Sequence, residues 1–270
     1  MAAFLTERNR YPDQVEVNTR FVELLAPVRG ERWIEAGCGT GAVLQIVAQQ
    51  LRGEIIPASE DRTGIEHSPV RRAFGVDRSA AMLQTARQLA VHSNGKTEPG
   101  CTQALAESLP YPTGCFDGGI ACRLLLHITE PQNVVRELAR VVRAGGRVGL
   151  MDWDFETVVV EHTQRELTRR ILHWRTDQRG GNNWSGRQLL RLALQAGLKQ
   201  TAICPIVSLV QDTNTSLAQS LLRAAEGAVE SQVITNTEHA AWIAEIEEQL
   251  AAGSFFASVI YFVVLGRSAR

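Results

Sequence analysis

Lysine is nearly absent from this sequence. Lys96 and Lys199 are the only lysines among 28 basic residues, and all the others are arginines. Catalysis through a lysine Schiff base therefore has almost no candidate residue. The 29 acidic residues bring the net charge to −1. This balance provides no general electrostatic attraction to nucleic acid or to an anionic membrane, so we expect neither as a partner.

Cysteine is also sparse, and the cysteines are not arranged in pairs. The five cysteines are odd in number, and no two of them form a CxxC motif. This pattern argues against a disulfide framework and against a zinc site. We expect buried thiols and no bound metal. The cysteines are Cys38, Cys101, Cys115, Cys122 and Cys204.

Long apolar runs are missing as well. The longest apolar stretch near an end, residues 255–266, is far shorter than the roughly 20 residues that span a bilayer. The first residues show neither the basic start nor the apolar stretch of a secretory signal. With 44% apolar and 21% charged residues, the composition is that of a globular protein. We therefore expect a cytoplasmic protein without a transmembrane helix.

Short apolar runs alternate with helical patterns in the first half of the chain. This alternation is typical of βαβ units and predicts an α/β fold with a mostly parallel sheet. Between the last two predicted strands, residues 131–143 carry apolar side chains at the spacing of one helical face. The predicted strands are residues 32–36, 73–77, 101–104, 116–122 and 146–152.

The most informative segment is rich in glycine and runs from Glu35 to Gly41, with the sequence EAGCGTG. It follows a predicted strand and precedes a predicted helix. Glycines adopt positive φ and let a ligand approach the backbone, while free N–H groups at the start of a helix donate hydrogen bonds. We therefore expect a nucleotide-like ligand at this turn.

The same segment also satisfies a dinucleotide fingerprint. Gly37, Gly39 and Ala42 stand at the positions of a GxGxxA motif. However, Glu35 lies just before the first glycine. Its carboxylate would repel a pyrophosphate, whereas it suits a ligand with an ammonium group, a description that fits S-adenosylmethionine. An NAD- or FAD-dependent enzyme stays open as the weaker alternative.

Four segments resemble, in order, the motifs of the class I S-adenosylmethionine-dependent methyltransferases, and in particular of their bacterial small-molecule, type 11-like members. The segments are EAGCGTG at 35–41, GVDRS at 75–79 followed by AML at 81–83, AESLPYP at 106–112 with CFD at 115–117, and LARVVRAGGR at 138–147. The resemblance covers roughly residues 20–152. It implies methyl transfer from S-adenosylmethionine to a small, partly apolar molecule, with S-adenosylhomocysteine as the product.

The resemblance also implies the architecture, which is a Rossmann-like, mostly parallel seven-stranded sheet with helices on both faces and a helical cap. We predict one domain over residues 1–270. In it, residues 1–152 form the cofactor-binding core, and residues 153–254 form a mostly helical cap or substrate region with one edge strand near residues 199–211. Residues 255–266 form the last edge strand.

The resemblance further assigns residues to the cofactor. Asp77, at the end of the second strand, is the candidate whose carboxylate accepts hydrogen bonds from both ribose hydroxyls. Tyr11 and Arg20 close over the cofactor from an N-terminal helix. The other predicted cofactor-binding residues are Glu35, Gly37, Cys38, Gly39, Gly41, Arg78, Met82, Ala106, Glu107, Cys122 and Arg123.

Two features depart from the family pattern. Gly41 and Asp77 are 36 positions apart, whereas about 20 residues usually separate such a turn from its ribose carboxylate. We interpret the excess, around residues 53–72, as an inserted loop. Leu105 stands where the family often has an aspartate that accepts from the adenine amine. Leu105 cannot supply that side-chain acceptor. We expect backbone groups of Ala106 to serve the ring, or Leu105 to pack against it.

Residues after the fourth and fifth strands are predicted to face the acceptor. His127 titrates near neutral pH and is the candidate general base, the alternative being a structural histidine beneath the cofactor. The predicted acceptor-binding residues are Trp153, Asp154, Phe155 and Trp184. For Asp154, a local hydrogen-bonding role is the alternative. Arginines at 71, 72, 169 and 170 leave an anionic acceptor open.

A second class of function also stays open. The same fold can bind S-adenosylmethionine without transferring a methyl group and so serve another reaction or a partner. Leu105 and the lack of a clear base favour this alternative. The sequence predicts neither the acceptor atom nor the oligomeric state.

Overall fold

The computed structural model describes residues 2–53, 72–92, 99–178 and 181–269. Most of the inserted loop predicted at residues 53–72 lies outside these ranges, and so does Arg71. Within them, no helix combines the length and the apolar character that a membrane crossing requires.

Strands and helices alternate along the described chain. The strands are β1 (Trp33–Ala36), β2 (Ala73–Asp77), β3 (Gly100–Gln103), β4 (Phe116–Cys122), β5 (Val142–Val160), β6 (Lys199–Val210) and β7 (Ala257–Arg267). The helices are α1 (Ala2–Arg8), α2 (Pro12–Leu25), α3 (Ala42–Arg52), α4 (Ala80–His92), α5 (Pro131–Val141), α6 (Arg165–Gln178), α7 (Ser185–Gln195), α8 (Ser216–Glu230) and α9 (Asn236–Ala251). A 3-10 turn, Leu125–His127, follows β4.

The described strands form one sheet in the order β3-β2-β1-β4-β5-β7-β6. The strands β1 to β5 pair in parallel, whereas β7 runs antiparallel to both β5 and β6. The predicted mostly parallel, seven-stranded sheet is therefore confirmed. The parallel order brings the carboxyl ends of β1, β2 and β4 to one edge, which is where open α/β sheets bind ligands.

The boundary between α5 and β5 differs from its prediction. The helix predicted at 131–143 ends at Val141, and the chain passes directly into β5. Because the register between β4 and β5 shifts near Gly145, this glycine lies in an irregular stretch of a strand rather than at the end of a helix. The strand also continues to Val160, so the predicted boundary at residue 152 falls inside it.

Helices cover both faces of the sheet and create two apolar cores. One core packs the sheet against α2, α3, α6, α8 and α9, and we call this side the cap face. The other core packs it against α5 and α7, and we call this side the rear face. Side chains alternate along a strand. Trp153 and Phe155 of β5 consequently belong to the cap face, and Leu150 belongs to the rear face.

The helical cap is held by a buried tryptophan. Trp242 of α9 is 0% exposed, and its Nε1 donates to Thr168 Oγ1 of α6 at 3.0 Å. Its ring stacks on His162 with 5.4 Å between the centroids. Helix α9 itself begins at a capping box formed by Thr235 and Glu238. These contacts fix α6, whose side chains reach the site described next.

Candidate functional site

The glycine-rich turn joins β1 to α3 at the carboxyl edge of the sheet. Gly37, Gly39 and Gly41 have φ values of 69°, 53° and 79°, which favour glycine. A Cβ on Gly37 would lie 2.5 Å from Leu124 Cδ1, and one on Gly41 would lie 3.2 Å from Ala86 Cβ. No described atom lies within 4 Å of a Cβ built on Gly39. Gly37 and Gly41 therefore permit packing, while Gly39 borders open space that a ligand can fill.

The carboxylate of Asp77 is fixed beside this turn. Its Oδ2 accepts from the Gly39 N–H at 2.9 Å, and its Oδ1 accepts from the Ser79 N–H at 2.8 Å. Each oxygen has a further lone pair. The half-buried carboxylate is thus held in one orientation and can still accept two hydroxyl donors.

The carboxylate of Glu35 lies in the interior next to the same turn. Glu35 is 2% exposed, and its Oε2 has no hydrogen-bond partner among the described residues. Burial raises the pKa of Glu35 to about 8, although Arg123 and a backbone hydrogen bond from Leu44 act to lower it. A buried acceptor without a partner costs free energy. A ligand that brings a cationic donor to Glu35 would remove that cost.

Cys38 contributes its backbone rather than its thiol to the turn. The side chain is 5% exposed, and the hydrogen bond to the Cys101 thiol together with burial raises its pKa. A Cβ on Gly75 would lie 2.6 Å from Cys38 Sγ. The thiol is therefore packed against β2 and β3, beneath the turn.

A leucine is exposed at the end of β3, near Asp77. Leu105 is 56% exposed, whereas the adjacent Ala106 is 7% exposed. The backbone N–H of Ala104 donates to the Asp77 carbonyl at 3.2 Å, which brings this loop beside β2. An exposed apolar side chain here suits a flat ring. In the neighbouring loops Arg78 is exposed and Glu107 is half-buried, and Met82 is buried in the first turn of α4.

A buried polar network connects the turn after β4 to α2 and β7. Arg123 has a left-handed backbone, with φ 51°, and is 8% exposed. Its Nη1 donates to Gln14 Oε1 at 2.6 Å, and Gln14 Nε2 donates to the Tyr261 hydroxyl at 2.9 Å. A non-glycine residue with this φ is strained by about 1 to 3 kcal/mol, and such strain clusters at functional sites. Sequence reasoning found Arg123 but missed Gln14 and Tyr261, for which no local pattern exists.

The N-terminal helices cover the glycine turn, but not through the predicted side chains. Asn9 Nδ2 donates to Thr40 Oγ1 at 3.2 Å. Tyr11 is half-buried at the start of α2. The side chain of Arg20 is 55% exposed and pairs with Glu16 of α2 at 2.9 Å. The predicted cofactor contacts of Tyr11 and Arg20 stay predictions.

A pocket on the cap face opens between α1, α6, α8 and the sheet, and we call it the arginine pocket. Its floor is aromatic, with ring centroids 4.7 Å apart for Trp153 and Phe155 and 6.0 Å apart for Trp153 and Tyr261. Its walls carry Arg8, Arg175 and Arg223. The structure thus brings Trp153 and Phe155, but not the other two predicted acceptor residues, into one pocket.

Asp154 is turned away from this pocket, which corrects its predicted role. It is 1% exposed on the rear face, where Arg187 Nη2 donates to its Oδ1 at 2.8 Å. Asp152 points the same way and accepts from Ser185 Oγ at 2.8 Å. Burial raises the pKa of Asp152 to about 7, with the Ser185 hydrogen bond opposing. Strand alternation places both carboxylates opposite Trp153.

Trp184 and His127 also lie on the rear face. Trp184 is the N-cap residue of α7. Side-chain hydrogen bonds from Trp184 and Arg187 to Glu156 lower the pKa of Glu156. His127 is exposed and lines a groove with Gln132 of α5 and Gln188 of α7. The structure therefore does not bring either residue into the arginine pocket, and we assign no catalytic role to His127.

Of the arginines singled out in the sequence, the three that the structure describes have separate partners. Arg169 pairs with Glu166 at 3.2 Å and Arg170 pairs with Glu238 at 2.6 Å, both with exposed or half-exposed side chains. Arg72 donates to the Gly30 carbonyl. Among the described residues, no group of three or more His, Cys, Asp or Glu side chains is arranged to hold a metal ion.

The chain is similar to known proteins along most of its length. Residues 34–150 match a family model described as a methyltransferase domain. A Streptomyces fradiae protein, named as an uncharacterized 37.1 kDa protein in transposon TN4556, is 30% identical over 88% of this chain and 63% of its own length. The 27-O-demethylrifamycin SV methyltransferase of Amycolatopsis mediterranei is 30% identical over 51% of this chain and 46% of that enzyme. The chain thus spans less than two thirds of these relatives.

A solved structure has the same fold. The YcgJ protein of Bacillus subtilis superimposes with a TM-score of 0.56, over 94% of this chain and 99% of that protein, at 17% sequence identity. At this identity the likeness concerns the arrangement of strands and helices only.

Proposed function

We propose that this chain is a class I S-adenosylmethionine-dependent methyltransferase, and that it transfers a methyl group from S-adenosylmethionine to a small, partly apolar molecule. The match of residues 34–150 to a methyltransferase domain supports this proposal. The observation that carries this proposal is the open space at Gly39 beside the fixed Asp77 carboxylate. The unpartnered oxygen of Glu35, at the end of the strand that leads into the same turn, supports it. The name of the Amycolatopsis relative, which specifies a rifamycin precursor, supports a small-molecule acceptor.

S-adenosylmethionine is the cofactor, and the described residues fit it. We assign the free lone pairs of Asp77 to the ribose hydroxyls, and the Glu35 carboxylate to the ammonium end of the ligand. We assign the exposed side chain of Leu105 to the adenine face. When bound, the cofactor supplies an activated methyl group that an acceptor atom displaces in line.

The chain contributes mainly position and shielding to this reaction. Asn9 bonds to Thr40 of the turn and Gln14 accepts from Arg123, so that the start of α2 is held beside the cofactor site. Alignment of two reactants at close approach supplies a large part of the rate in such displacements. We assign no base, because His127 lies on the rear face and burial raises the pKa of Tyr261, which keeps its hydroxyl protonated.

Titration with S-adenosylhomocysteine tests the cofactor site. We expect saturable binding by calorimetry and a higher melting temperature, since a ligand at about 100 times its Kd stabilises the folded state by about 2.7 kcal/mol. NAD and FAD serve as the matched negative ligands. A thermal shift with either of them, and none with S-adenosylhomocysteine, would contradict the proposal.

Methyl transfer itself needs a second measurement. The protein is incubated with methyl-labelled S-adenosylmethionine and a small-molecule extract, and labelled products are separated by mass. We expect label in a small molecule and a matching amount of S-adenosylhomocysteine. Cofactor binding without either product would identify a binding protein of this fold instead of an enzyme.

The buried carboxylate of Glu35 predicts a pH dependence of cofactor binding. Its pKa of about 8 lies above the ordinary value of 4.5, so the native protein without ligand keeps it protonated at neutral pH. An ammonium group favours the ionised form, and binding therefore releases a proton. We expect the affinity for S-adenosylhomocysteine to rise from about pH 6 to about pH 8, by up to about tenfold per pH unit.

Calorimetry in two buffers of different ionisation enthalpy measures the released proton. Glu35→Gln keeps the shape of the side chain but cannot titrate, so its affinity should not rise over this range. The stability of the apoprotein should show the opposite trend. The contribution of Glu35 to the free energy of unfolding is fully present below the pKa that Glu35 has in the unfolded chain, and it is lost as the pH rises toward about 8. An equal pH slope in the wild type and in Glu35→Gln would exclude Glu35 as the titrating group.

A further inference from the structure

We propose that the side chain of Arg123 binds the carboxylate at the amino-acid end of the cofactor, beside the Glu35 carboxylate that takes the ammonium group. The inference rests on the proposed function and deepens it, because it makes the site selective for a ligand with an intact α-amino acid group. It is carried by two buried, opposite charges that the described residues leave incompletely bonded.

The guanidinium group of Arg123 presents a free edge. The side chain is 8% exposed, and its Nη1 donates to Gln14 Oε1 at 2.6 Å. Its Nε is buried without a hydrogen-bond partner, and its Nη2 donates no hydrogen bond to the described residues. The edge that Nε and Nη2 share is therefore unoccupied by this part of the chain. Two parallel N–H groups on such an edge match the two oxygens of a carboxylate.

No carboxylate of the described residues occupies this edge. Glu35 and Asp152 are two buried carboxylates near Arg123. Oε2 of Glu35 has no partner, and Oδ2 of Asp152 accepts from Ser185 Oγ at 2.8 Å and from the Leu126 N–H at 3.2 Å. Burial raises the pKa of Glu35 to about 8 and that of Asp152 to about 7, so neither is fully ionised at neutral pH. A buried cation without a full counter-charge costs free energy, which a ligand carboxylate would offset.

The order of the strands matches the order of the groups along the cofactor. The strands β2, β1 and β4 are neighbours. Asp77 ends β2, Glu35 is next to last in β1, and Arg123 follows β4. Because Ala36 pairs with Ala121, β1 and β4 end side by side, about 4.8 Å apart. The ribose, ammonium and carboxylate groups of the ligand thus meet Asp77, Glu35 and Arg123 in turn.

Two contacts hold Arg123 beside the glycine-rich turn. The next residue, Leu124, packs so closely on Gly37 that a Cβ on this glycine would lie 2.5 Å from Leu124 Cδ1. Gln14 of α2 is 0% exposed, and it donates from Nε2 to the Tyr261 hydroxyl at 2.9 Å while it accepts from Arg123. Its amide carries no charge. Gln14 is therefore a positioning residue that orients the guanidinium group without neutralising it.

Removing the carboxylate from the ligand tests the proposal. S-adenosylhomocysteine and its decarboxylated analogue, which keeps the adenosine, the sulfur and the amino group, are titrated into the full chain by calorimetry at neutral pH. We expect the wild type to bind the analogue at least about tenfold more weakly, because one charge-assisted contact is lost. Equal affinities of the wild type for the two ligands would overturn the assignment.

Arg123→Met removes the guanidinium group and keeps a side chain of similar length. We expect the preference for S-adenosylhomocysteine over the analogue to disappear. The readout is the ratio of the two affinities, because a loss of structure, or a change in the pKa of Glu35, weakens both ligands equally. A parallel fall of both affinities, with the wild-type preference retained, would contradict the proposal.

Gln14→Glu gives an independent measurement and decides the question if Arg123→Met does not fold. It keeps an acceptor for Nη1 but adds a charge, which competes with the ligand carboxylate for the guanidinium group, so the preference should fall. Arg136→Met is the matched control, since Arg136 is exposed on α5 and donates to the neutral Asn133 Oδ1 at 3.3 Å. An undiminished preference in Gln14→Glu, or an equal loss in Arg136→Met, would exclude the assignment.

The outcomes separate this inference from the proposed function. If both ligands bind the wild type equally well, the carboxylate assignment fails and the methyltransferase proposal stands. If neither ligand binds, the proposed function itself fails at the first titration, before any variant is made.

Discussion

Replacing Asp77 with alanine is expected to weaken the binding of S-adenosylhomocysteine by roughly 10- to 150-fold. Hydrogen bonds to a charged group contribute about 1.5 to 3 kcal/mol, which corresponds to that range of affinity. Two effects act together, because the variant loses the assigned ribose acceptor and also releases the Gly39 N–H, which Asp77 Oδ2 holds at 2.9 Å. Calorimetric titration of the purified variant measures the change.

Asp117 provides the control for this experiment. Its carboxylate also accepts from a backbone donor, the Arg32 N–H at 2.8 Å, and from Arg143 at 2.7 Å. However, Asp117 lies near the start of β4, at the opposite edge of the sheet. Asp117→Ala should lower stability and leave the affinity unchanged. If Asp77→Ala bound within about threefold of the wild type, its assignment to the ribose would be wrong.

Replacing Trp242 with alanine is expected to lower the free energy of unfolding by about 3 to 5 kcal/mol, the range for truncating a large buried ring. The variant leaves a cavity between α6 and α9, removes the stack on His162 and leaves Thr168 without its indole donor. Urea denaturation followed by circular dichroism gives the value. We expect the loss of stability to be largest in the cap helices α6 and α9. Helix α6 also carries Arg175.

A conservative variant separates the ring from its hydrogen bond. Trp242→Phe keeps an aromatic ring against His162 but cannot donate to Thr168, so we expect a smaller loss of about 1 to 2 kcal/mol. Folded Trp242→Ala should still bind S-adenosylhomocysteine, because Trp242 does not touch the glycine turn. A loss below about 1 kcal/mol in Trp242→Ala would show that the cap does not depend on this side chain.

Most strands of the core were predicted within one residue of their observed bounds. β2 and β4 begin and end where the apolar runs do, because buried parallel strands consist of short continuous apolar segments. The error at β5 has a physical reason. Apolar residues up to Val142 continue the helical pattern, but backbone pairing of Val142 with Phe116 draws it into the sheet.

The turn at 37–41 and the carboxylate of Asp77 lie together, and a direct hydrogen bond joins them. Their contacts with a cofactor stay predictions. The sequence did not reveal the direction in which the side chains of β5 point. Asp154 was predicted beside Trp153, yet neighbouring residues of a strand point to opposite faces, and its partner Arg187 lies on the rear.

The sequence by itself determined the resemblance to methyltransferases, S-adenosylmethionine as the expected cofactor and the edge of the sheet where the glycine-rich turn lies. These follow from glycines and carboxylates at fixed local spacing, since a tight turn needs particular residues in a particular order. Only the tertiary structure decided which residues line the arginine pocket. Arg8, Arg175 and Tyr261 come from distant helices and the last strand. Folding brings them together through packing of the cap, and no short sequence pattern encodes that contact.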